Sequence, residues 1–448
     1  LASIRIETFQ PKKQLSEVLM ISSSKLLFTL LASSLVLQAA GTGKTPSVDD
    51  KALLQKAKQI HHKIVTFDSH VDVPIDLDAA TDGKSQFDLV KVERGHLSGA
   101  ALAVFVGQAK RTPENYQKAH AEAEAKYETI VNVAKKNPNR AALAYSPADV
   151  RSLAKQGKFA VVISFLNAFP LGKDLSQIDV WYDRGVRIFG FNHAGNNDWA
   201  DSSRPVSGFG DKQDEIGGLS DLGRQAVAKL NEKGILIDVS QLSTKALYDT
   251  LSLTKAPVAA THSAVKGIVD NSRNLSDEEL QAIAKNGGVV QIVAFSNYLR
   301  PIPQDVQDKV TALRTEYGLP EKDDTLQKTW PPEKQKEYST RWHEIIAAAP
   351  KATLAQLVDS VDYAVKRIGI DHVGISSDFN HGGGVTGWDN EGEAQNVTAE
   401  LLRHGYTEAQ IAKLWGGNFL RVWGEAQSAG RKLSASAHRS HGKQVHHV

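Results

Sequence analysis

Cysteine is absent from the chain. Its absence excludes disulfides, thiolate metal centres and a cysteine nucleophile together, so any metal must be held by imidazole and oxygen. A surplus of either charge is missing too: 53 Lys and Arg stand against 51 Asp and Glu, leaving a formal +2. Neither the basic footprint of a nucleic-acid binder nor an acidic tail is present. Long apolar runs are lacking as well. Residues 26–37 form an apolar stretch of about a dozen residues, short of the ~20 that a bilayer-spanning helix needs. Methionine occurs once, at Met20, and from it run a short polar region with Lys25, that apolar stretch, and Gln38-Ala39-Ala40-Gly41. This is the three-part plan of a secretory signal cleaved near Ala40. We expect Met20 to be the true start, so that residues 1–40 comprise an upstream stretch, 1–19, and a signal peptide, and the mature protein to be periplasmic, with no stable membrane anchor.

With 41% hydrophobic content, the remainder can bury a large core. Apolar strand-like runs at 64–69, 99–108, 160–166, 187–192, 235–240, 258–261, 288–295 and 372–377 alternate with helical segments that carry charged outer faces. Eight such units predict an α/β fold, a (β/α)8 TIM-type barrel over 41–425, whose reactive groups sit at the C-terminal ends of the strands. The first strand shows why. Its sequence IVTFDSHVDVP passes from apolar residues into Asp68, Ser69, His70 and Asp72. On an extended backbone His70 and Asp72 point the same way and can converge on one cation. Later strand ends supply Asn167, His193, Gln241, His262, Asn297, Tyr298 and Asp378. Singly, His193 or His262 is equally a core histidine bonded to backbone, and Asp378 a turn cap. Their recurrence at strand ends favours one shared site.

The strings TFDSHVDVP, GVRIFGFNHAGNNDWADS, GLSDLGRQAV, ILIDVSQLS, THSAVKGIVDNSRNLSD, GGVVQIVAFSNY, HVGISSDFN and GYTEAQIAKLWGGNFLRV together resemble the membrane (renal) dipeptidase family of zinc peptidases in the amidohydrolase superfamily. The likeness covers nearly all of 60–425. It implies a two-zinc barrel enzyme that cleaves dipeptides bearing a free carboxyl terminus. His70 and Asp72 resemble first-metal ligands, and His262 a second-metal ligand. Asp378 resembles the carboxylate that holds and deprotonates the attacking water. The resemblance gives His193 the scissile carbonyl to polarise, and Arg273 and Tyr298 the substrate carboxylate to grip. An arginine fork suits a planar carboxylate; the alternative for Arg273 is a solvated surface residue beside Asp277.

Two positions depart from the family pattern. Leu166 stands where the resemblance requires the glutamate that bridges the two zincs, and Gln241 stands where it requires a second-metal histidine. Without the bridging carboxylate, Asp72 and Asp378 offer −2 against the +4 of two divalent ions. We therefore expect one zinc at most, held by His70, Asp72 and Asp378 with one position left open. His262 then serves as a base or donor, or completes a distorted single site, and Asn167 offers a weak oxygen. His381, close behind Asp378 and followed by glycines, is a further candidate ligand.

Two functions remain in view. One is a metal-dependent hydrolase of dipeptides, with a small peptide-like substrate carrying a free carboxylate. The other is a catalytically decayed relative that binds a peptide-derived ligand or partner, as in periplasmic siderophore maturation of the pyoverdine type. An insertion at about 300–350, rich in charge and proline, is read as a lid or specificity element, or else as an oligomer contact such as a homodimer's. The polar tail 426–448, with His438, His441, His446 and His447, is expected to be disordered.

Overall fold

The computed structural model describes residues 48–319, 327 and 330–444, with side chains from 50 to 436. The predicted leader lies outside the described residues. Eight parallel strands follow one another in chain order: β1 (Phe67–Asp72), β2 (Gly99–Phe105), β3 (Phe159–Leu166), β4 (Val186–Gly190), β5 (Leu236–Asp238), β6 (Ala259–Ser263), β7 (Val289–Val293) and β8 (Val373–Ser376). Every strand residue except Arg187 is buried. That matches the continuous apolar runs of a parallel sheet covered on both faces.

The ring closes where β8 meets β1. Val71 and Phe379 form a parallel bridge, Asp378 N donates to His70 O at 3.2 Å, and Asp72 N donates to Phe379 O at 3.0 Å. This seam sets His70, Asp72 and Asp378 side by side although some 300 residues separate them in sequence. The chain is thus a (β/α)8 barrel, as its strand count predicts.

Strand boundaries differ from the sequence expectation, most at β1, and one short strand was not expected. β1 begins at Phe67 because Ile64 N still bonds Ile60 O, extending the preceding helix Val48–His61 by a turn. The strand consequently runs on through His70 and Asp72. A short extra strand, Ala141–Leu143, pairs with the start of β3 at Phe159–Val161. Three residues are too few to show a period.

Several helices between the strands begin on side-chain caps. Ser276 and Glu279 form a capping box before Asp277–Lys285, Thr353 and Gln356 another before Leu354–Ile368, and Ser220 caps Asp221–Lys233. The last helix, Asn418–Gln444, closes the barrel floor. Its Phe419 stacks on Phe67 at 5.2 Å between ring centroids, and Trp423 is fully buried in the same cluster. This helix continues through Gln444 where a disordered tail was expected, because Ala, Gln, Lys and Arg are good helix formers even where apolar residues are sparse.

The insertion is a helical hairpin, Gln304–Glu316 and Pro332–Ala347, with a small core of its own made by Leu313, Leu319, Trp330 and Tyr338. Its two ends are pinned together, Arg300 Nη1 donating to Pro350 O at 3.1 Å and Ala352 N to Ser296 Oγ at 3.0 Å. Among the described residues no helix is long and apolar enough to cross a membrane.

Candidate metal centre

The closing seam builds the centre. His70 Nε2 lies 3.7 Å from Asp72 Oδ2 and 3.7 Å from Asp378 Oδ1. Donors 2.0–2.2 Å from a tetrahedral zinc stand about 3.4 Å apart, so these separations suit one cation held by an imidazole and two carboxylates. His70 Nε2 and both Asp72 carboxylate oxygens are buried with no hydrogen-bond partner among the described residues. Buried polar atoms are nearly always satisfied. Three orphans converging on a point have the character of a metal site, and their chemistry fits a divalent ion.

Strand register and one tight turn hold these groups. Asp378 adopts φ 56°, a left-handed conformation that Asp tolerates, and its carbonyl accepts from Gly383 N at 3.0 Å. A Cβ on Gly383 would come within 2.0 Å of Ser377 O, so only glycine fits. Beneath lies Asp68, accepting from His70 N, Ser376 Oγ and Ser377 N at 3.1–3.2 Å and so tying β1 to β8. Burial, and then Asp68, hold the neighbouring Glu391 carboxyl well above its ordinary range.

The electrostatics follow from burial and proximity. Burial opposes a charge on His70, yet Asp72 and Asp378 outweigh it and raise the imidazole's pKa. Burial pushes Asp378 up to about 6. Asp72 is likewise desolvated, but His70 and His381 pull it below the usual carboxylate value.

His262 is beside this centre without joining it. Its ring stacks on His70 at 3.9 Å. Thr261 Oγ1 donates to Asp238 Oδ2 at 2.6 Å, which leaves that hydroxyl to accept from His262 Nδ1 at 2.8 Å. The ring's proton is thereby placed on Nδ1, and Nε2 accepts from the Gln241 amide nitrogen at 3.0 Å. Gln241 Oε1 in turn accepts from Arg204 Nη2 at 2.8 Å. Burial, then His70 and Arg273, hold His262 well below its ordinary pKa, in keeping with a neutral ring. Both nitrogens are engaged, so the expected second-metal ligand is not among the converging donors.

Arg273 is 4% exposed, which disposes of the surface alternative; Asp277 pairs with Arg367 instead. Its Nη2 donates to His262 O at 2.6 Å and it lies over the Tyr298 ring at 5.3 Å, while its Nε has no partner among the described residues. Tyr298, on the short helix Ser296–Leu299, brings its hydroxyl to 3.5 Å from Arg204 Nη1. His193 packs against Phe105 and His381 at 4.5 and 5.0 Å, and burial followed by Arg204 keeps it neutral. His381 Nδ1 stands 3.9 Å from Asp72 Oδ2 at the open side.

Leu166 is buried with Ala103 and Phe105, an apolar wall where a bridging carboxylate was missing from the sequence. Asn167 is not a ligand: its Nδ2 donates to Val106 O, and its Oδ1 accepts from Asn197 Nδ2 and Phe169 N. Sequence reasoning missed Arg204, Asp238, Thr261 and Phe105. Asp238 and Phe105 end apolar strands and were open to the strand-end rule; Thr261 sits inside its strand, and Arg204 lies in a loop with no pattern to mark it.

A model of the membrane dipeptidase family, peptidase family M19, matches residues 54–437. The chain belongs to this family. M19 peptidases are metallopeptidases, and the His70–Asp72–Asp378 cluster is where this chain offers the implied ion a site. The chain is similar to the probable dipeptidase PvdM from Pseudomonas aeruginosa, with 50% identity, a TM-score of 0.82, and coverage of 85% of this chain and 99% of that one. It is 26% identical to dipeptidase aclJ of Aspergillus oryzae over 279 residues, 62% of this chain and 54% of that protein, so the match spans about half the length of that relative. A metallopeptidase from Rhodobacter sphaeroides, crystallised with a phosphinate mimic of the dipeptide L-Ala-D-Ala, shares the fold at TM-score 0.62 and 21% identity, covering 81% of this chain and 99% of its own.

Proposed function

We propose that this M19 member hydrolyses dipeptides or closely related small amides with one divalent cation, zinc by preference, held by His70, Asp72 and Asp378 in the periplasm. The observation that carries this reading is the convergence of unpartnered buried donors at the barrel seam. A bound cation supplies Lewis acidity that makes water nucleophilic near neutral pH. Asp378, beside the cation, would take the proton from the attacking water and pass it to the leaving amine. A neutral His193 donates an N–H hydrogen bond to the scissile carbonyl, where charge develops. Arg273, with its free Nε, and Tyr298 orient the substrate carboxylate.

Metal content of the purified protein, together with amino-acid release from a dipeptide panel, tests the reading. One equivalent of metal and turnover that both vanish in His70→Ala are expected. Metal-free, inactive protein would turn preference to the second reading, a binding protein for a peptide-derived ligand as in pyoverdine-type siderophore maturation. The engaged nitrogens of His262 and the apolar Leu166 are what favour that alternative.

A further inference from the structure

A cavity of about 740 Å³ lies near the candidate metal centre, linked to it through Gln241, which lines the cavity and bonds His262, whose ring lies on His70. Its wall carries four cationic side chains, Arg204, Lys245, Lys266 and Arg273, against two acidic ones, Asp214 and Glu279. Much of the acid is already engaged. Glu279 accepts from Ser276 N at 2.8 Å and from Thr244 Oγ1 at 2.7 Å. Lys245 is paired with Asp249. Arg204 and Arg273 are different: among the described residues neither meets a carboxylate within ion-pair distance, and the Nε of each is shut from solvent without a hydrogen-bond partner. Arg273 is buried and Arg204 partly so, and guanidinium groups withdrawn from water without a counter-charge are stabilised by an anion that reaches them.

Arg204 is held in place deliberately by the surrounding fold. Ser203 N donates to Gln241 O at 2.8 Å, Gln241 adopts φ 69° so that its side chain turns toward both neighbours, and its amide oxygen takes Arg204 Nη2. A guanidinium is thus fixed across Gln241 from His262, on the side where family likeness leads one to expect a second cation.

We propose that Arg204 is a specificity-determining residue: its fixed charge replaces that of a second metal and, with Arg273 and the cationic cavity wall, selects ligands that carry a second acid group besides their terminal carboxylate, such as peptides ending in Glu or Asp. The inference rests on the proposed assignment of Arg273 to the terminal carboxylate. An anionic fork contact of this kind is directional, and Lys cannot reproduce its planar geometry.

The test is calorimetric binding of the uncleavable methylene-amine isosteres of Ala-Glu and Ala-Gln to the purified full chain, with metal content measured on the same samples. Wild type should bind the Glu isostere at least tenfold more tightly. The preference should fall below threefold in Arg204→Gln and to an intermediate value in Arg204→Lys, with metal content unchanged in both. Should Arg204→Gln not fold, raising salt from 50 to 500 mM on wild type should shrink the preference. Equal affinities in wild type, a preference intact in folded Arg204→Gln, or one indifferent to salt would overturn the inference. An Arg204-dependent preference in protein that holds no metal would leave it standing while removing the one-cation hydrolase, and metal-loaded active protein without the preference would do the reverse.

Discussion

On the proposed one-cation reading, single side chains set how many cations this centre takes. Leu166 and Gln241 suggest in sequence that one site is gone, and the structure adds a third obstacle, the Arg204 charge bonded to Gln241. Restoring ligands alone should therefore fall short. Leu166→Glu with Gln241→His is expected to bind a second zinc only weakly, and adding Arg204→Ala should bring the content close to two per chain, as read by atomic emission after dialysis against micromolar zinc. Equal content in the double and triple variants would mean that Arg204 does not govern the second position. Asp378 gives a prediction about pH. Burial raises it to about 6 in the metal-free protein, above the unfolded value of about 3.9. An acid that holds its proton more tightly when folded lends stability that is complete below the unfolded pKa and lost as pH rises through the folded one, here between about pH 4 and 7, on the order of 3 kcal/mol. Zinc binds the ionised form, so the rise in Tm on adding zinc should be small at pH 5 and larger at pH 7.5. In Asp378→Asn the metal-free protein should lose this component of its pH slope.

At the scale of elements, what was legible in the sequence was what burial writes into a pattern. All eight barrel strands are sheathed on both sides, so each appears as an apolar run, and groups at their ends could be named: His70, Asp72, His262 and Asp378 lie at or against one centre, as does Arg273, which lies in a loop and came from the family resemblance. What was not legible depends on contacts that leave no period. Ala141–Leu143 is a strand only because the start of β3 lies beside it, and the loop that carries Arg204 is shaped by bonds to Gln241 nearly forty residues on. The helicity of 426–444 was hidden because a polar surface helix resembles a tail in composition. The insertion was visible as an insertion, but its independence was not. With its own core and with both ends pinned at Arg300–Pro350, the hairpin should be separable. Replacing 304–349 by a short Gly-Ser linker is expected to leave the barrel's Tm within a few degrees while raising KM for dipeptides severalfold, because the pinned ends adjoin the helix that bears Tyr298. A large drop in Tm would show that the hairpin supports the barrel; an unchanged KM would remove it from substrate binding.

Taken as a whole, the molecule separates stability from chemistry along the barrel axis. The floor is apolar, with Phe419 and Trp423 of the last helix packed among Phe67, Val162, Ile188 and Leu236, while the ligating and cationic groups gather at the carboxyl ends of the strands. Truncating Trp423 to Ala removes a fully buried ring and should cost roughly 3–5 kcal/mol, read as a lower denaturant midpoint. Metal per folded chain should not change, since Trp423 is packed in the floor cluster and no ligand belongs to that cluster. Phe419→Ala is the more demanding case, because its partner Phe67 opens the strand that also carries His70 and Asp72. If β1 is held rigid by its ladder to β2 and its seam with β8, Phe419→Ala should resemble Trp423→Ala, destabilised with metal affinity intact. If metal affinity drops tenfold or more in Phe419→Ala alone, β1 transmits strain from floor to mouth, and the two ends of the barrel are coupled through that one strand.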